Sequence, residues 1–155
     1  MTRTAALGRV VLGVDGSPHA RRAVAFLARL AHGSGDGVTV VRVVEPIRLP
    51  SLGLVPAPAR GHIAGALARV ERGERDRAQR SLDAAADVLT RAGWRVRTAL
   101  RSGVPTRELL AAAREERAGL LVVGARGAGG LERLLLGSVA EGCATRAPMP
   151  VLVVK

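Results

Sequence analysis

The sequence predicts an α/β fold in which one parallel sheet is covered by helices on both faces. Three observations carry this reading. Strand-like and helix-like stretches alternate in a β-α-β-α-β-α-β-α-β order, the pattern of parallel strands joined by helical crossovers. Residues 38–44 are apolar at nearly every position, as strands buried on both faces are. The chain has 155 residues, 48% of them hydrophobic, which suits one domain with a full core, and it shows no internal repeat.

Taken in order, residues 9–14 are an apolar, β-branched run ending at Asp15-Gly16, a turn signal. Ser17-Pro18 reads as N-cap and first helical residue, and Val24, Leu27, Ala28 and Ala31 follow at helical spacing. His32-Gly33-Ser34-Gly35 ends that helix, and the 38–44 strand comes next. Pro46, Pro50, Pro56 and Pro58, with Gly53 and Gly61, predict a mobile loop over 46–61 within the single domain 1–155. A long helix follows over 63–91, with a break expected near Gly73. Its Glu71/Arg75, Arg72/Asp76, Asp76/Arg80 and Asp87/Arg91 stand at i,i+4 spacing for ion pairs. Gly93 stops it. Residues 94–100 alternate as a third strand, with Trp94 packing at its start. Thr106 is expected to cap a helix reaching 117, and 120–123 is a fourth strand. A glycine-rich loop leads to a short helix over 138–146, and Pro148 and Pro150 precede a closing strand at 151–154. Gly142 inside the short helix predicts a local weakness of about 1 kcal/mol against alanine, loosening that end of the molecule.

Composition excludes several function classes. The single cysteine, Cys143, rules out an intrachain disulfide framework and a Cys-rich zinc site, and reads as a small core residue. No apolar run approaches the ~20 residues that cross a bilayer. The 10–14 run is too short for the core of a signal peptide, so the expectation is a cytoplasmic protein with no membrane contact. The net charge is +11, and with Lys155 the only lysine the excess is arginine, spread along the chain without a basic tail. One Phe, one Trp and no Tyr leave no aromatic platform for bases, so nucleic acid is not an expected partner. His19, His32 and His62 share no metal-ligand spacing, and the first two are expected at the surface.

In sheets of this kind chemistry gathers beyond the carboxyl ends of the strands, where strand order reverses. That singles out Asp15-Gly16-Ser17 and the segment after residue 123. Gly124 and Gly127 let backbone approach a ligand, and Gly129 and Gly130 continue the glycine-rich run. Gly137-Ser138 stands where a helix begins. Its exposed N–H groups and positive helix end suit a phosphate, with the Ser138 hydroxyl as an added donor. On these residues alone the segment reads either as a phosphate cradle or as a flexible loop, and Asp15 either as a binding acid or as a turn-former. No Gly-Lys-Ser/Thr P-loop, no G-x-G-x-x-G after the first strand, no nucleophile elbow and no nucleophile–base pair is present.

The spacing Gly124-x2-Gly127-x9-Gly137-Ser138 resembles the phosphate-binding pattern of the universal stress protein family, in its ATP-binding branch. Residues 10–17 resemble that family's first strand and acidic turn, 131–139 its LxRLLLGSV stretch and 147–154 its closing strand, so the likeness spans nearly the whole chain. It implies a three-layer, doubly wound, five-stranded parallel sheet of order 3-2-1-4-5. It implies ATP, with magnesium as the cation that accompanies a triphosphate. Asp15 would meet the adenosine, the backbone at Val43 would read adenine, and Gly13 would lie under the nucleoside. Gly124, Arg126, Gly127, Gly129, Gly130, Gly137, Ser138 and Val139 would hold the phosphates. It also implies a homodimer through Val151, Leu152, Val153 and Val154, an uncharged strand that this order leaves at a sheet edge. The chain departs from the family at Gly119-Leu120, where an acidic residue is usual.

The function so implied is a stress-response regulator, a nucleotide-dependent switch and not a turnover enzyme. One alternative is a weak ATPase or self-phosphorylating enzyme using Arg126, Arg133 and Ser138, for which no general base is visible. Another is a dimeric interaction module without nucleotide, against which the intact glycine motif stands.

Overall fold

Alternation along the first strand divides the molecule into layers. In β1 (Arg9–Gly13), Val10 and Leu12 face one side of the sheet and Val11 the other, and all three are buried. A computed structural model describes residues 7–47, 55–127 and 136–155. After β1 come α1 (Pro18–Arg29), β2 (Gly37–Val44), α2 (Ala57–Arg91), β3 (Arg95–Ser102), α3 (Pro105–Glu115), β4 (Leu120–Gly124), α4 (Ser138–Arg146) and β5 (Val151–Val154). The strands form one parallel sheet of order β3-β2-β1-β4-β5. One core joins Val10, Leu12, Val38 and Val40 to Leu27 of α1 and Leu82 and Leu89 of α2. The other joins Val11, Val41, Leu121 and Val123 to Leu109 of α3 and Ala140 and Cys143 of α4. The three-layer, doubly wound architecture follows, in the expected order.

Local chemistry explains most boundaries. Ser17 caps α1: its hydroxyl accepts from Ala20 N–H at 3.1 Å, and Pro18 follows at the first helical position. The helix closes at Arg29, so Ala31 lies outside the predicted face and is exposed. Ala92 ends α2 and Gly93 turns the chain at φ +91°. Trp94 is buried, and its indole N–H donates to Leu27 O at 3.2 Å.

Four expectations are corrected. The loop predicted over 46–61 gives way to α2 at Ala57, because prolines at 56 and 58 fall at the cap and first turn, where a missing N–H costs nothing; residues 48–54 lie outside the described part. That helix runs through Gly73 without a break, and among the described residues its ion pair is Glu74–Arg77, not any of the four i,i+4 pairs. Thr106 does not cap α3. Val104 is the cap and Pro105 the first helical residue, two positions earlier than a Thr106 cap would set it, and Thr106 is buried inside the helix. His32 is not a surface residue: half-buried, it stacks on Trp94 at 4.2 Å between ring centres, and its Nε2 meets Ala92 O at 3.1 Å.

Thr106 also changes the meaning of Gly142. A Cβ at 142 would lie 2.8 Å from the Thr106 methyl and 2.6 Å from an Arg146 nitrogen, so glycine is what lets α4 close on α3. Helix propensity alone says Gly142→Ala stabilises by about 1 kcal/mol. The crowding reverses the sign, and a loss of about 1–2 kcal/mol in urea unfolding is expected. A more stable variant would show that α4 can back away from α3. Cys143, beside it, is fully buried, and burial pushes its thiol up to about 11, which leaves it inert at neutral pH.

Candidate functional site

Strand order reverses between β1 and β4, and the carboxyl ends of these two strands bring the predicted segments together. The turn after β1 needs glycine at Gly16, whose φ is +80°. That turn places the Asp15 carboxylate to accept from Ser17 N–H at 2.9 Å. Ser17 does more than cap. Its hydroxyl also donates to the Arg126 carbonyl at 3.2 Å, tying the start of the glycine-rich segment to the start of α1. Sequence reading missed this second bond, because nothing local in Ser17-Pro18 signals a partner 109 residues away.

The glycines of the motif do different work. At Gly124 a Cβ would stand 2.8 Å from Ala20 N and from His19 C, so α1 backbone fills its side-chain space; here glycine serves packing between helix and strand. At Gly127 a Cβ would stand 2.8 Å from Asp15 Oδ2, which places the glycine-rich backbone directly against the acidic turn. At Gly137 it would stand 3.3 Å from Arg126 Cα, while Gly137 N–H donates to Ala125 O at 2.8 Å. That bond folds the segment's return against its start. Gly137 is the N-cap of α4 with no side-chain cap, and Ser138 is exposed in the first turn. Gly137, with no side chain, caps none of the helix's first N–H groups. Gly129, Gly130 and Arg133 lie outside the described residues.

The remaining candidates separate. Gly13 is buried under α3, with the Leu109 methyls 3.0 Å from where its Cβ would be, so its glycine has a packing reason. Val139 packs against the core between α3 and α4. Val43 shares with Asp15 a cavity of about 340 Å³, near the small end of ligand pockets. Arg42, Glu45, Glu74 and Pro105 also line it. Among the described residues no cluster of His, Cys, Asp and Glu has the makeup of a metal site, and no helix is long and apolar enough to cross a membrane.

Comparison with known proteins agrees with this geometry. A model of the universal stress protein family matches residues 7–155. A universal stress protein of Thermus aquaticus is 36% identical over 147 residues, covering 94% of this chain and 97% of its own. The structure of protein MJ0577 from Methanocaldococcus jannaschii, 20% identical, superposes with a TM-score of 0.78 over 96% of both chains, a likeness of fold. A universal stress protein solved in complex with cAMP is 28% identical, with a TM-score of 0.63 over 97% of this chain and 98% of its own.

Proposed function

The chain belongs to the universal stress protein family, and on that premise we propose that it binds ATP in the crevice between β1 and β4 and acts as a nucleotide-dependent regulatory switch in the cytoplasm. The observation that carries the reading is the contact of Gly127 with Asp15: the two sequence segments with ligand-binding character meet, and no side chain stands between them. The structurally related protein that holds cAMP supports an adenine nucleotide.

In this reading Asp15 and the Val43 backbone take the nucleoside, with Gly13 beneath. The chain from Gly124 through Arg126 and Gly127, with Gly129 and Gly130, leads the phosphates to Gly137, Ser138 and Val139. The uncapped N–H groups at the start of α4 and the Ser138 hydroxyl fit phosphate oxygens, and Arg126 adds charge. Magnesium would accompany the bound triphosphate and offset part of its charge. A switch needs no general base.

The test is calorimetric titration with ATP. Gly137→Val puts methyl groups where Arg126 Cα and the Ala125 carbonyl already stand at 3.3 and 3.4 Å, so the segment must open. A folded variant is expected to lose ATP affinity at least tenfold, about 1.4 kcal/mol. Wild-type affinity in that variant would remove the phosphate assignment.

The reading includes a homodimer. β5 pairs with β4 on one side only, and all four of its residues are half-buried, an uncharged edge that invites a second chain. Leu152 packs toward the α1 face and Val153 toward the α3 face. Light scattering is expected to give twice the chain mass, and Leu152→Asp and Val153→Asp, made separately, are expected to halve it. The variant that keeps a cooperative melt separates loss of pairing from loss of core. A monomeric wild type at micromolar concentration would end the edge-pairing argument.

A further inference from the structure

Only the second half of α2 is held by the core. The helix has 35 residues and spans about 52 Å, yet the residues it buries are Ala78, Leu82, Ala85 and Leu89. From 58 to 77 no residue is buried. This stretch has little reason of its own to be helical. Gly61, Gly65 and Gly73 each weaken a helix, and the space at their Cβ positions is open or holds only an arginine tip, so packing does not demand them. Among the described residues the ion pair along α2 is Glu74–Arg77, and both groups are exposed. Helices in proteins are held mainly by burial of an apolar face.

Such a face is present. Ile63, Leu67 and Val70 recur at i, i+4 and i+7 on one side of the helix; Ile63 and Leu67 are half-buried and Val70 is 52% exposed. Leu67 is its middle. Two turns before it, on the same side, stands Arg60, and two turns after it stands Glu74. This order is its own complement. A second copy laid antiparallel, with Leu67 on the two-fold axis, brings Arg60 of each chain to Glu74 of the other and joins the two apolar stripes. A parallel copy sets Arg60 on Arg60 and Glu74 on Glu74, like charge on like. Within the chain Arg60 donates to Val55 O at 2.6 Å and Glu74 meets Arg77, exposed contacts that are cheaply exchanged.

We propose that the first half of α2 is a pairing arm for a second copy of this chain, antiparallel about Leu67 and set in register by two Arg60–Glu74 pairs. Glu74 also lines the cavity beside Asp15, so the partner's Arg60 comes to that cavity's rim. The contact is separate from the β5 edge, because α2 lies on β2 and β3, toward the other side of the sheet. Residues 60–74 span about 21 Å, a small interface, so the pairing is weak and adds to a β5 dimer only at raised protein concentration.

Cross-linking of the full chain with a short bismaleimide tests this. The natural Cys143 is fully buried and stays out of the reaction. Leu67→Cys is expected to give about fivefold more covalent dimer than Arg72→Cys, an exposed position on the opposite side of the helix. Val70→Cys should cross-link like Leu67→Cys, and it reports even if Leu67→Cys melts early. Adding Arg60→Glu to Leu67→Cys should cut the yield about fivefold, and adding Glu74→Arg as well should restore it to within about twofold, because the pair is remade with its charges exchanged. Equal yields from Leu67→Cys and Arg72→Cys would mean chance collision and overturn the proposal. So would a charge exchange that restores nothing. No readout here depends on nucleotide: a chain that cross-links as expected but binds no ATP loses the nucleotide reading alone.

Discussion

Gly124→Ala is expected to destabilise the fold by about 3 kcal/mol, while Gly127→Val keeps its melting curve near wild type and loses nucleotide affinity at least tenfold. The two glycines stand three residues apart in one motif, and their neighbours differ in kind. A Cβ at 124 meets the α1 backbone at 2.8 Å, and backbone held inside a capped helix cannot step aside. A Cβ at 127 meets the end of the Asp15 side chain at 2.8 Å, and that carboxylate can turn. Its turning displaces the acid from the ligand crevice. Urea unfolding and ATP titration on both variants read the two effects separately. If Gly124→Ala kept full stability, the start of α1 would be looser than its cap bonds imply. If Gly127→Val bound ATP normally, Asp15 would lie outside the site.

Asp36→Ala is expected to cost about 3 kcal/mol, the other large stability effect in the chain. Asp36 is buried, and its carboxylate accepts from Gly33 N–H and Gly8 N–H at 2.8 Å and from Leu7 N–H at 3.2 Å. It holds the entry of β1 beside the start of β2, where Gly8 adopts a φ of +69°. Removing it leaves those N–H groups without their acceptor. The bond from Gly33, then those from Gly8 and Leu7, with the charge of His32, hold its pKa below the ordinary 3.8 against the opposing effect of burial. The folded state therefore binds this proton less readily than the unfolded chain. The stabilisation is fully present above about pH 4 and is lost as pH falls below it. Urea unfolding at pH 7 and pH 3 should show a drop in the wild type that Asp36→Asn lacks. Equal drops in both would assign the acid sensitivity to other carboxylates.

Much of this was legible in the sequence for a physical reason. Elements whose signal is local were found close to their places: Ser17-Pro18 starts α1, Gly93 ends α2, and 138–146 and 151–154 match α4 and β5 residue for residue. Caps, prolines and positive-φ glycines act within a few residues, so their chemistry can be read without the fold. The motif spacing Gly124-x2-Gly127-x9-Gly137-Ser138 was also visible in the sequence, because it is a property of one segment. Where local signals compete, the sequence misled. Thr106 is a good cap by type, but Pro105 beside it starts the helix first, and proline-rich 56–61 reads as loop although its prolines sit where a helix accepts them.

What each residue is for was decided by the tertiary structure. Asp36 is an ordinary acid between glycines until Leu7 and Gly8, nearly thirty residues away, turn their N–H groups onto it. Gly124 and Gly127 are equivalent letters until α1 backbone fills the space at one and Asp15 faces the other. Gly142 counts against its helix until Thr106 lies across from it. In each case the deciding neighbour lies on another element, and only the packed sheet and its two helical layers bring it within contact distance.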